Sequence, residues 1–498
     1  MSYSFRAYYP YYKRNLKLAF PVMLTQFGAA LVGLSDSIMV GHYGTADLAA
    51  VSFSNALFFT VMVFAMGALM GITPLVGHVH GRLEKLKVES LELKVESQES
   101  RVESQEPRVE SQESRVESQE PRVESQEWKE RIDHKHKQIT SYLTNGLVFT
   151  GLMSIFSLVL LAPCIGFLDA FGQEPEVVAC ARPYYILIVL SIVPFLLFTF
   201  SKQFLEGLGN TTVAMLISIG CILLNILLNW VFIYGKWGFP AMGAEGAGWA
   251  SLIARCLMPV CFFIAMLWKA EWRRYITSMR GWLITRREVE HLITIGVPIG
   301  LQSFAEAFLF TASFVIIGWI SKESLAAHHI ANQMADLTFM LALGIGSATT
   351  IRVSHQLGKG DLQAVRMASH ASVHLCLLMN TIGAAIMIFG RNVIPYIFTD
   401  DPEVVPIAST LLVIAGTLQY ADGLQCIGAA MLRGIQDVRV PMRIALFAYI
   451  GVALPLGLAL TFPMGLGAKG MWIAFVIALA IPAVLFHVRF HRQMKWMQ

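Results

Sequence analysis

Apolar runs of membrane length alternate with short polar loops along nearly the whole 498-residue chain. Twelve of them stand out, roughly at 16–40, 48–78, 139–168, 183–205, 211–234, 246–268, 290–320, 326–351, 366–390, 404–432, 440–462 and 468–490. As helices rising about 1.5 Å per residue, runs of this length cross a hydrocarbon core of about 30 Å. In lipid every backbone amide and carbonyl must find its partner within the segment, so these runs are predicted to be helices. The pattern fails in one place. From Lys87 the chain reads KVESLEL, KVESQES, RVESQEP, RVESQES, RVESQEP, RVESQEW, a seven-residue repeat with Val as its only regular apolar position. A coiled coil needs two such positions per heptad. Residues 83–127 carry 13 Glu against 7 Lys and Arg, and Pro107 and Pro121 interrupt any long helix. The 83–137 segment is therefore expected to be a solvated, charged insertion between the second and third spans, flexible or transiently helical.

The loops orient the spans. Lys and Arg collect on one side: Lys13, Arg14 and Lys17; Arg82, Lys85 and Lys87; Lys129 to Lys137; Lys269 to Arg287; Arg352, Lys359 and Arg366; Arg433, Arg439 and Arg443; and Arg489 to Lys495. The opposite loops, such as GHYGTAD, DAFGQEPE and SKES, are poor in base. Both termini are thus expected in the cytoplasm, with the chain in a bacterial cytoplasmic (inner) membrane. The N-terminus shows no cleavable signal peptide pattern.

An internal repeat sets the architecture. Shifted by 277 residues, 21–82 lies on 298–359 without a gap. Pro21 falls on Pro298, Leu48-Ala49-Ala50 on Leu325-Ala326-Ala327, Asn55 on Asn332, Gly67 on Gly344, His78 on His355 and Gly81 on Gly358. Six spans per half put both halves in the same orientation, related by an axis along the membrane normal. The expected fold is an all-α integral membrane protein of twelve transmembrane helices in two pseudo-symmetric six-helix lobes with a central cleft. An N-lobe (1–268) holds the insertion, 269–289 is a linker on the basic side, and 290–498 is the C-lobe. Two lobes about a central cleft suit alternating access.

Composition narrows the class further. The chain is 55% hydrophobic and 14% charged, with a mean hydropathy of +0.57, which excludes an ordinary soluble domain. Its pI near 8.6 reflects the basic loops and does not point to nucleic acid. Seven scattered cysteines without a CxxC offer neither a disulfide framework nor metal spacing. There is no GxxxxGK[ST] loop and no nucleophile motif, so neither an enzyme nor an ATP-driven pump is expected.

The acids inside spans carry the chemistry. Glu306 lies ten residues beyond Gly296, roughly 15 Å deep in its span. Pro298 and Gly300 before it permit a local kink. Asp36, Asp336 and Asp422 are the other acids well within spans, with Glu206 near a basic-side end. An ionised carboxylate at such depth needs protein, water or a cation beside it. Asn225 and Asn229, four apart, share one helical face and can hydrogen-bond a carboxylate, coordinate a hard cation, or simply join helices. Glu306 and Asp422, if paired, would repel unless a proton or cation sat between them. Such a pair suits an antiporter, in which cation and substrate compete for one negative charge. A purely structural acid, a specific metabolite exporter, a lipid-linked precursor flippase and an assembly protein built around the heptads remain open on this pattern. A flippase holding pyrophosphate would be expected to carry bases inside its spans.

The chain resembles the multidrug and toxic compound extrusion (MATE) family, in its NorM-like bacterial branch. The resemblance rests on PVMLTQFGAALVGLSDSIMVGHYGTADLAAVS, LLNILLNWVFIYGKWGFPAMGAEGAGWAS, PIGLQSFAEAF, LAAHHIANQ with RVSHQLGKGD, and YADGLQCIGAAMLRGIQD, and covers nearly everything except the insertion. It implies export of cationic or amphipathic small molecules in exchange for Na⁺ or H⁺, without a cofactor, by a chain that works as a monomer among membrane lipids. Carried over residue by residue, it implies an N-lobe cation or proton site at Asp36, Asn225 and Asn229. It places C-lobe coupling acids at Glu306 and Asp422, the only metal site implied being one for a transported Na⁺ there. Asp336, where a neutral polar residue is expected, is a possible additional cavity acid.

Overall fold

The computed structural model describes residues 5–103, 120–171, 174–279 and 284–498. Among them twelve helices are long and apolar enough to cross a membrane. These are α1 (Arg6–Tyr43), α2 (Thr45–Glu92), α3 (Glu127–Ala170), α4 (Pro175–Gly207), α5 (Thr212–Tyr234), α6 (Gly243–Trp268), α7 (Arg286–Gly318), α8 (Lys322–Lys359), α9 (Leu362–Phe389), α10 (Val404–Gly434), α11 (Arg439–Thr461) and α12 (Ala468–Trp496). The predicted count and order of spans hold, and the chain is an integral membrane protein.

Local sequence explains where helices start and stop. Ser321 caps α8 by accepting a hydrogen bond from the Ser324 amide at 3.1 Å. The α8–α9 corner closes through Gly360, at φ +77°, followed by Asp361, whose carboxylate accepts from the Ala364 amide at 2.8 Å. Among the described residues four spans are interrupted: α2 at Met70–Gly71, α3 at Ala162–Pro163, α4 at Ser191, and α11 by a π-helical stretch, Phe447–Ala453.

Two large hydrophobic cores form. One gathers Leu69, Ile72, Phe149, Tyr185, Phe200 and Phe204 with their neighbours from α1 to α7; the other gathers Leu309, Ile345, Leu411, Tyr449, Trp472 and Phe486 from α7 to α12. The sequence repeat reappears as paired close approaches between the halves. At Gly67 a Cβ would press on Gly300 and Ser303, and at the repeat-equivalent Gly344 it would press on Met23. At Gly81 it would strike the His355 carbonyl, and at the equivalent Gly358 the His78 carbonyl. α2 and α8 therefore cross backbone to backbone at their basic ends. Lys359 Nζ and Glu84 Oε2 pair across this crossing at 2.7 Å, and His355 Nε2 meets the Gly207 carbonyl at 2.7 Å. α1 reaches over to α9, where Asn15 Nδ2 donates to the Ala368 carbonyl at 3.0 Å and to Ser372 Oγ at 2.9 Å. Tyr12 and His374 share a further hydrogen bond at 2.8 Å.

The repeat-rich segment is helical at its base. α2 continues as helix to Glu103 and α3 is preceded by helix from Glu120, so 83 and 137 fall inside continuous helices. Residues 104–119, including Pro107, lie outside the described residues. Leu83 and His136 are buried, with His136 Nδ1 3.2 Å from Tyr275 Oη in the linker helix (Ala270–Thr277).

Candidate functional site

Two polar sites sit within the helical bundle, one in each half. In the second half α7 supplies Glu306, α10 supplies Asp422 and Gln425, and the π-helical stretch of α11 supplies Tyr449. Gln425 Nε2 donates to Glu306 Oε1 at 2.7 Å and reaches Asp422 Oδ1 at 3.5 Å. Its other end is fixed, because Tyr449 Oη donates to Gln425 Oε1 at 2.7 Å. Asp422, Gln425 and Tyr449 are buried, and Glu306 is half-buried. One amide thus bridges two carboxylates, and a buried phenol decides which way that amide points. Asp422 and Gln425 stand three apart on α10, one helical turn, so they share a face. The wider turn of a π-helix re-aims a side chain relative to its neighbours, and Tyr449 is such a side chain.

Asp336 on α8 is exposed and accepts from Asn332 Nδ2 at 2.9 Å. Three acids therefore bias this half toward positive ligands. A small cation can take carboxylate and amide oxygens as ligands, and a proton can settle on either acid.

In the first half α1 and α5 bring Asp36, Asn225 and Asn229 together. Asn229 Nδ2 donates to Asp36 Oδ1 at 2.5 Å and to Asn225 Oδ1 at 3.3 Å. Of the uses open to two amides one turn apart, the carboxylate contact is the one observed. Asn229 Oδ1 is buried without a hydrogen-bond partner and is a spare acceptor. Asp36 and Asn225 border a cavity of about 250 Å³ between α1, α2, α4, α5, α6 and α8. The Asp36 and Glu306 sites do not merge: each keeps its own set of partners.

Sequence reasoning overlooked the bases that share this cavity. Arg255 lies midway along α6 and lines the space, as does Lys202 near the basic end of α4. Arg255 Nη1 donates to Ser191 Oγ at 2.7 Å, and its guanidinium lies 5.0 Å from the Phe58 ring centre and 5.2 Å from that of Phe195. The intramembrane charge is thus not purely acidic. A base in the middle of the apolar run 246–268 was the available signal. The roles of Gln425 and Tyr449 carried no comparable mark, because polar residues in spans most often join helices.

The MatE family model matches residues 21–90, 133–231 and 298–458. The probable multidrug resistance protein NorM of Xanthomonas axonopodis pv. citri (strain 306) is 32% identical over 483 residues, which cover 95% of this chain and 93% of that protein. The multidrug resistance protein PmpM of Pseudomonas aeruginosa is 29% identical over 491 residues, covering 97% and 92%. Among solved structures, the eukaryotic MATE transporter AtDTX14 aligns over 98% of both chains with a TM-score of 0.78 at 16% identity, a likeness of fold. These relatives are transporters, not enzymes.

Proposed function

From the premise that the chain belongs to the MatE family of transporters, we propose that it is a secondary antiporter. It exports cationic or amphipathic compounds through a bacterial cytoplasmic membrane in exchange for inward Na⁺ or H⁺. The names of the NorM and PmpM relatives support the drug-export part of this reading. The basic loops support a cytoplasmic position for both termini.

The observation that carries the coupling is the Glu306–Gln425–Asp422 bridge. With both acids ionised, the site repels itself and favours any positive charge. A cation or proton bound there removes the charge that would hold a cationic substrate. Only one of the two occupies the acids at a time, and linkage makes their competition reciprocal. The contacts between halves gather at the basic end, which fits a state closed toward the cytoplasm. In that state the coupling ion enters from outside and the substrate leaves. Rocking of the two halves about the α2–α8 crossing then presents the acids to the cytoplasm, where the ion departs and substrate rebinds. The chain holds both sites itself and acts as a monomer.

The test is ethidium efflux from cells expressing the full chain, with and without a Na⁺ gradient at fixed pH, for wild type and Glu306→Gln. Loss of gradient-driven efflux in the mutant is expected, because the amide carries no charge to be exchanged. Efflux that follows the pH gradient and ignores Na⁺ assigns coupling to H⁺. Full efflux by the mutant under both gradients would remove Glu306 from the mechanism.

A further inference from the structure

The antiport scheme makes no use of Arg255. A guanidinium near mid-span is costly in a membrane protein, and such residues face the bundle interior or a polar cavity and mark what passes through it. Ser191, at the break in α4, accepts from Arg255 at 2.7 Å and donates to the Ile188 carbonyl at 2.6 Å, so the anchor is itself anchored. Phe58 and Phe195 flank the guanidinium. Among the described residues no ion pair within 4 Å joins Arg255 to Asp36, and Asp36 is engaged by Asn229 instead. Arginine carries five N–H donors in a planar fork that matches a carboxylate, and the hydrogen bond to Ser191 uses one.

The surroundings define what the fork would meet. The cavity holds about 250 Å³ and is bordered by the apolar side chains of Phe195, Phe198, Met66 and Met258 together with Asp36, whose carboxylate is held by Asn229. That is below the roughly 300–1,000 Å³ of sites that enclose a whole drug-sized ligand, so it suits one end of a molecule. Lys202 also lines it, with its ammonium Nζ 3.9 Å from Glu206 Oε1. The second half supplies Glu306, Asp422 and Asp336 for a positive end.

We infer that this cavity is a carboxylate-anchoring subsite, with Arg255 receiving the carboxylate of an amphipathic, aromatic substrate whose cationic end faces the acids of the second half. The preferred substrate class is then zwitterionic, not simply cationic. This inference rests on the export reading and narrows it. Arg255 acts as a specificity-determining residue that touches the substrate.

Rhodamine 110 and rhodamine 123 make a matched pair, since the second is the methyl ester of the first. They share one xanthene, and only the free acid presents a carboxylate. Binding to the purified full chain in lipid nanodiscs is read by fluorescence anisotropy, and uptake is read in proteoliposomes. Wild type is expected to bind the acid about tenfold tighter than the ester, the worth of one charge-assisted hydrogen-bonded pair. Arg255→Gln is expected to lose that preference while ester affinity stays within about threefold. Arg255→Lys, which keeps the charge without the fork, should retain part of it. Equal affinity of wild type for the two dyes overturns the inference without any variant having to fold. So does a preference that survives in Arg255→Gln, or an equal loss of both dyes there while Arg255→Lys restores both alike, the mark of a structural countercharge. A wild type that transports the ester without preferring the acid refutes only this inference. A wild type that transports neither dye refutes the export of such dyes and the inference together.

Discussion

The α2–α8 crossing offers the sharpest test of the proposed rocking motion. A Cβ at Gly358 would meet the carbonyl oxygen and carbon of His78 and the amide nitrogen of Arg82, all backbone atoms with no rotamer to retreat into. Gly358→Ala must therefore push the helices apart wherever they cross in this way. Overpacking of this kind costs about 1–3 kcal/mol. Alanine also favours the helix over glycine by roughly 0.5–1 kcal/mol, but it does so whether the basic end is open or closed, so that term drops out of the comparison. The Lys359–Glu84 pair next to the crossing is partly exposed and adds a fraction of a kcal/mol when it parts. The closed state should lose roughly 5- to 150-fold in population relative to the open one. Spin labels at the exposed Lys87 and Gln363, in a background without the seven natural cysteines, would report the separation by double electron–electron resonance. The expected result is a shift of the distance distribution toward longer separations, with slower efflux. Gly81→Ala should produce the same shift, and the double variant less than the sum, since one crossing opens once. An unchanged or shortened distance in both single variants would refute the reasoning.

Two further outcomes follow from the sites. Tyr449→Phe removes the hydroxyl that orients Gln425 and leaves a buried amide oxygen unpaired, at a cost of about 1–3 kcal/mol. The concentration of coupling ion needed for half-maximal efflux should rise by about tenfold, with little change in substrate affinity for the first half; unaltered ion dependence would show that Gln425 needs no anchor. Replacing residues 93–126 by a short Gly/Ser linker should leave drug tolerance and expression within about twofold, because such linkers are flexible coils. The contacts made by Glu84 and His136 lie outside the replaced stretch. Minimal inhibitory concentrations read this directly, and loss of tolerance with intact expression would give the heptads a working role.

The membrane spans were legible because lipid imposes one simple rule on composition, and Glu306, Asp422 and Asp36 stood out because that rule makes them costly. The contact of Asn229 with Asp36 followed from a one-turn spacing that sequence displays openly. Other features depend on tertiary placement. Tyr449 becomes the partner of Gln425 only because α11 widens into a π-helical stretch, which no residue of FAYIGVA announces. The breaks at Met70–Gly71 and Ser191 likewise come without a proline at the break itself. Gly81 and Gly358 were visible as repeat partners, but that each faces the other helix's carbonyl required knowing where the pseudo-axis passes. Arg255 is legible as a lone base within the apolar run 246–268, but its contacts with Ser191 and Phe58 depend on tertiary placement. The helical form of the insertion's two ends has a different cause: a polar sequence can continue a helix whose start the membrane has already nucleated.

The paired glycine contacts make the closure of the basic end an isologous interface folded into one chain, of the kind two identical subunits form around a dyad. The polar groups do not share that symmetry: Asp36 corresponds to Ser313, and Glu306 to Ala29. Gene duplication thus left a hinge whose two sides must go on matching each other and two walls free to diverge. Drift at the hinge is constrained in pairs, whereas each wall can change its charge alone. A transporter built this way can acquire a new cargo chemistry in one half without relearning how to move.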